Sequence, residues 1–126
     1  MEKIHSSIRA KILAEALPYM QMYDSKYVVV KYGGHAMVND NLADIFAQNI
    51  VMLQQAGMKP VVVHGGGPQI GETLKAQGVE SKFHNGLRIT DRDTIKVVER
   101  VLYEIINTDI VKKIKKYGGK SISLSG

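Results

Sequence analysis

The stretch Val61-Val62-Val63-His64-Gly65-Gly66-Gly67-Pro68-Gln69-Ile70 sets three valines directly ahead of three glycines and a proline. A continuous run of β-branched residues suits a strand buried on both faces, as in a parallel sheet. Pro68 fits the first helical position, where its missing N–H would be unpaired anyway. A short helix is predicted through Ile70 and Leu74, closed by Gly78. The same order occurs upstream, where Tyr27-Val28-Val29-Val30-Lys31 runs into Gly33-Gly34. Between the two runs, Leu42, Ile45, Phe46, Ile50 and Leu53 recur at helical spacing. Asn39 or Asp40 can cap that helix and Gly57 can end it. Strand, helix, strand is a βαβ unit. The predicted class is therefore α/β: a three-layer α-β-α sandwich with a mainly parallel sheet and helices on both faces.

Working outward, residues 81–90 read as a β-hairpin, because both residues of Asn85-Gly86 accept positive φ. Leu87 and Ile89 face one side of it, so Arg88 and Thr90 face the other. Thr90 or Asp91 can cap a long helix carrying Ile95, Val98, Leu102 and Ile105. Further helical turns run through Ile110, Val111 and Ile114 to Gly118, and Lys120–Gly126 alternates as the start of a third strand. At the other end, Ile4, Ile8, Ile12, Leu13, Ala16, Leu17 and Met20 form one apolar stripe, with Pro18 expected to break or kink the helix. Residues 1–22 are thus a helical extension of a single domain spanning 1–126.

The composition narrows the chemistry. A chain of 126 residues with 44% hydrophobic and 23% charged residues is a globular domain or a piece of one. No apolar run approaches the ~20 residues a membrane helix needs. With no cysteine there is no thiol catalysis, disulfide or thiolate zinc site, and the four histidines are scattered, so no resident metal is expected. The net charge of +5 is local: residues 1–111 balance, and the surplus is Lys112, Lys113, Lys115, Lys116 and Lys120. Lysines near a helix end complement its dipole. No aromatic residues interleave with them as a nucleic-acid platform requires, so no nucleic-acid partner is predicted. Glu2, Lys3, Arg9, Lys11 and Glu15 interrupt any targeting segment, and a cytoplasmic location follows as the default.

The two glycine loops carry the chemistry. Each follows a strand and opens a helix, where free N–H groups and the positive dipole end favour anions. Neighbouring parallel strands would bring both loops to one crevice. A dinucleotide fingerprint fails because the sixth position from Gly65 is Ile70, with Gly71 one residue late; a Walker A loop ending in Gly119-Lys120-Ser121 fails because position 114 is Ile. Lys31, two residues before Gly33-Gly34, is placed to offset charge on a phosphoryl group. The planar fork of Arg88 suits a carboxylate. His64 reads as a packed, hydrogen-bonded histidine, and neither it nor His35 is taken as a catalytic base.

Lys31-Tyr32-Gly33-Gly34, His64-Gly65-Gly66-Gly67-Pro68-Gln69-Ile70 and Asn85-Gly86-Leu87-Arg88-Ile89-Thr90-Asp91 together resemble the acetylglutamate kinase branch of the amino acid kinase family. The resemblance implies ATP-dependent phosphorylation of the side-chain carboxylate of N-acetyl-L-glutamate in arginine biosynthesis, with Mg²⁺ carried by the nucleotide. It implies Lys31 as transition-state stabiliser, Gly33 and Gly34 at the transferring phosphoryl group, and Gly66, Gly67 and Arg88 at the substrate. The N-terminal helix resembles that of arginine-inhibited, oligomeric members, which would put Tyr19 near an effector site in a homo-oligomer. Family members run to roughly twice this length, so the chain is expected to be the N-terminal, substrate-binding part, without the nucleotide half and inactive alone. The alternatives are an acetylaminoadipate-type kinase, or a non-catalytic amino-acid-binding or oligomerisation module.

Overall fold

The computed structural model describes residues 4–126. Its elements run α1 (Ser6–Tyr23), β1 (Tyr27–Tyr32), α2 (His35–Val38), α3 (Asp40–Gln55), β2 (Lys59–His64), α4 (Gly67–Ala76), β3 (Phe83–His84), β4 (Leu87–Arg88), α5 (Arg92–Glu99), a π-helical segment (Arg100–Asn107) and α6 (Thr108–Lys116). The two valine runs are adjacent parallel strands, with Val29 opposite Val61 and Val30 opposite Val62. The expected hairpin is present: β3 and β4 are antiparallel, and Phe83 faces Arg88. Its turn has φ of 49° at Asn85 and 77° at Gly86. The fold class is α/β, a parallel sheet with packed helices.

Two helix starts are fixed by a capping side chain. Asn39, not Asp40, caps α3 by accepting from the Leu42 amide at 3.1 Å. Asp91, not Thr90, caps α5 by accepting from the amides of Asp93 and Thr94. The Thr94 amide is the main reason the Asp91 carboxyl titrates below the ordinary carboxylate range. The core gathers Tyr32 from β1, Ala47 and Ile50 from α3, Ile70 and Leu74 from α4, and Val101, Ile106, Ile110 and Ile114 from the long C-terminal helix. The Tyr32 and Phe46 rings stack within it, 3.8 Å between centroids.

Four expectations need correction. The valine runs are not buried on both faces: Val28, Val30, Pro60 and Val62 turn inward, while Val29, Val61 and Val63 are exposed. The N-terminal helix continues through Pro18 to Tyr23 and buries none of its side chains. The C-terminal helix buries Ile106 in place of Ile105, which is 49% exposed. A π turn widens the repeat, so the core positions fall at 101, 106, 110 and 114; the Thr108 hydroxyl donating to the Tyr103 carbonyl fits that wider turn. Lastly, Lys120–Gly126 joins no strand ladder. Its backbone is held by side chains instead: Gln54 donates to the Lys120 carbonyl at 2.7 Å and accepts from its amide, and Asn107 donates to the Leu124 carbonyl.

Candidate functional site

Parallel pairing places the carboxyl ends of β1 and β2 side by side. Tyr32 lies opposite His64, and the Gly65 amide donates to the Tyr32 carbonyl at 3.0 Å, so the two glycine loops leave the same edge of the sheet. Gly34 has φ 62° and ψ −141°, a conformation open essentially to glycine alone, and turns the chain into the single-turn helix α2. Gly66 is extended and buried. A Cβ there would lie 2.6 Å from Leu102 Cδ2 and 2.8 Å from Ile106 Cδ1, so any side chain would force those two methyl ends to shift. Gly67 is exposed, with open space around it. No side chain caps the start of α4, and Pro68 has no N–H to offer. The amides of Gly67 and Gln69 thus form the donor end of this helix. Behind them Gln69 buries its side-chain Oε1 without a hydrogen-bond partner among the described residues.

Arg88 reaches this helix start from the hairpin. One amino group, Nη2, donates to the Gly67 carbonyl at 3.2 Å, and the other, Nη1, donates to the Ser81 hydroxyl oxygen. The guanidinium carbon lies 4.7 Å from the centre of the Phe83 ring. Of five N–H donors, two are engaged and three remain for a ligand. Lys31 is exposed on the sheet face that also carries Tyr27 and Val29, and among the described residues it takes part in no ion pair. The structure joins Gly67 with Arg88 directly, and sets Lys31, Gly33 and Gly34 on the neighbouring strand and loop.

His64 sits between the valines and the glycines. Its Nδ1 lies 2.9 Å from the Gly65 carbonyl oxygen, an acceptor that a hydrogen on Nδ1 can meet. An open groove of about 570 Å³ runs past His64, Val98, Leu102, Tyr103 and Asn107, and neither Gly67 nor Arg88 lines it. Tyr19 is 63% exposed on α1. The lysine surplus is partly paired: Lys113 with Asp109 and Asp40, Lys116 with Asp44. Ser81 and Phe83 were missed in the sequence. Hairpin alternation and register, which put residues 81, 83 and 88 on one face, were the signal that could have found them.

Residues 26–126 match the amino acid kinase family. The chain is similar to the protein named acetylglutamate kinase of Azorhizobium caulinodans, 58% identical over 96% of this chain and 40% of that protein. It is similar to the one of Sinorhizobium fredii, 53% identical over all of this chain and 43% of that protein. The chain thus spans about two-fifths of the length of these curated relatives. Among solved structures, smu.665 of Streptococcus mutans superposes with a TM-score of 0.70 at 31% identity, over 79% of this chain and 40% of that one. N-acetylglutamate synthase of Neisseria gonorrhoeae superposes with a TM-score of 0.71 at 21% identity, over 86% of this chain and 25% of that one, a likeness of fold alone.

Proposed function

The chain belongs to the amino acid kinase family, and from that premise we propose that it forms the substrate-binding part of an acetylglutamate kinase. In this reading a side-chain carboxylate oxygen of N-acetyl-L-glutamate attacks the γ-phosphorus of ATP. The bond from that phosphorus to the bridging oxygen breaks, ADP leaves, and an acyl phosphate forms. Such transfers depend on positioning and on offsetting charge at the phosphoryl oxygens. Arg88 and the amides of Gly66 and Gly67 bind the acceptor. Lys31 supplies positive charge to the transition state, and Gly33 and Gly34 meet the phosphoryl group through backbone N–H. Mg²⁺ enters with the nucleotide; among the described residues no group of three carboxylates or imidazoles is arranged to hold it.

The observation that carries the reading is the Arg88 guanidinium on the Gly67 carbonyl. It brings together a cation suited to a carboxylate and a glycine-opened helix start, two features 21 residues apart in the chain. The names of the relatives support acetylglutamate as the substrate. In the complete protein the product serves arginine biosynthesis in the cytoplasm. An arginine effector near Tyr19 and a homo-oligomer built with α1 rest on the family resemblance. Among the described residues no helix is long and apolar enough to cross a membrane. The test is a coupled ADP-release assay on the full-length protein with N-acetylglutamate, N-acetylaminoadipate or free glutamate as acceptor. Turnover highest with N-acetylglutamate is expected. Preference for N-acetylaminoadipate would move the assignment by one methylene, and no acceptor-dependent turnover would contradict it.

A further inference from the structure

We propose that Ser81 and Phe83 are positioning residues for Arg88, holding its guanidinium at the start of α4 before a ligand arrives; this rests on the reading of Arg88 as the acceptor-carboxylate contact. An arginine side chain has several rotatable bonds, and each one frozen on binding costs affinity. Arg88 is already restrained from three directions. Ser81 takes one amino group, the Gly67 carbonyl takes the other, and the Phe83 ring lies beside the guanidinium 4.7 Å away.

The restraint follows from the hairpin. The two-residue turn at Asn85-Gly86 makes Phe83 and Arg88 direct cross-strand partners, and Ser81 lies two residues before Phe83, on the same face. A further backbone bond, Ile89 amide to Lys82 carbonyl at 2.8 Å, carries the pairing back towards Ser81. Ser81 is only partly exposed, so its hydroxyl contact is sheltered from bulk water, whereas the outward Leu87 is 74% exposed. The Ser81 hydroxyl is an acceptor that costs Arg88 no charge neutralisation. An aspartate or glutamate at that place would compete with a ligand carboxylate. The arrangement fixes the fork and leaves it fully cationic.

The experiment is a double-mutant cycle in the full-length protein, reading KM and kcat for N-acetylglutamate by coupled ADP release. Ser81→Ala is expected to raise KM by about 3- to 10-fold, the size of one lost hydrogen bond, with little change in kcat. Ser81→Thr, which keeps the hydroxyl, restores KM to near the parent value. Phe83→Leu raises KM by about 2- to 5-fold through loss of the cation–π contact, and Phe83→Tyr does not. In an Arg88→Ala background, Ser81→Ala adds nothing. A parent-like KM in Ser81→Ala, or an equal increase in both backgrounds, would overturn the proposal. An unchanged KM in Arg88→Ala alone would overturn the reading of Arg88 beneath it, a distinct outcome.

Discussion

At the scale of single residues, Gly66 and Arg88 separate packing from binding. Gly66 faces Leu102 and Ile106 so closely that a Cβ would push against the methyl ends of both side chains. Gly66→Ala should destabilise the fold by about 1–3 kcal/mol, as overpacked cores do, seen as a lower urea midpoint with an unchanged slope. A parent-like midpoint would mean that those side chains yield freely. Arg88 is half-buried on a short hairpin, and its bonds go to Ser81 and Gly67. Arg88→Ala in the full-length protein should cost about 1.5–3 kcal/mol of acceptor binding, the worth of a charge-assisted contact. The expected result is a raised KM for N-acetylglutamate with the melting temperature little changed. Unchanged kinetics would return Arg88 to an ordinary surface arginine.

At the scale of elements, α3 and α6 are tied by one polar cluster. Asp44 on α3 accepts from the Lys116 ammonium at 3.0 Å and from the Tyr117 hydroxyl at 2.9 Å. The Lys116 hydrogen bond is the largest cause holding the Asp44 carboxyl below its ordinary range, with the Tyr117 bond next. Asp44 in turn raises Lys116. A lowered carboxyl stabilises the fold at and above its ordinary titration range and loses that contribution as pH falls through the lowered value. A raised ammonium contributes below its ordinary value and loses it as pH rises through the raised one. Urea midpoints followed against pH should therefore drop at both limits, and Asp44→Asn should flatten the acid limb. The exposure of both groups keeps the effect small. An acid limb unchanged by Asp44→Asn would show that this cluster does not set the acid dependence.

The elements also show what the sequence made legible. The valine runs, the Asn85-Gly86 turn and the glycine loops are local signals, and each fixes its own backbone: parallel β1 and β2, the hairpin, and the strand-to-helix turns. Burial is not local. Three valines alone do not tell a sheet covered on both faces from one covered on one face, and Val29, Val61 and Val63 are on the open side. Period 3.6 read through Leu102 selects Ile105, and only the π turn selects Ile106. The alternation of Lys120–Leu124 reads as a strand, yet the amides of Gln54 and Asn107 hold its backbone. Lys31, Gly67 and Arg88 were singled out as candidates from residue type and motif; the neighbours of Arg88, Ser81 and Phe83, required the register between two hairpin arms.

At the scale of the whole molecule, the chain presents an open apolar sheet face and an exposed helix. Tyr27 and Val29 are 75% and 69% exposed, and Ile8, Ile12, Leu13 and Leu17 of α1 are exposed as well. Contiguous apolar surface and unpaired strand edges favour association. The 126-residue chain prepared alone should therefore self-associate as its concentration rises, measured by sedimentation velocity. A single species near 13.9 kDa at every concentration would contradict that.

In the proposed function the start of α4 and Arg88 together form the acceptor site. A crystal structure of the full-length protein with N-acetyl-L-glutamate tests it most directly. A ligand carboxylate is expected on the free N–H donors of Arg88, with the ligand against the amides of Gly66 and Gly67 and Arg88 still bonded to Ser81. A ligand bound away from Arg88, or one that leaves Gly66 and Gly67 without contact, would contradict it.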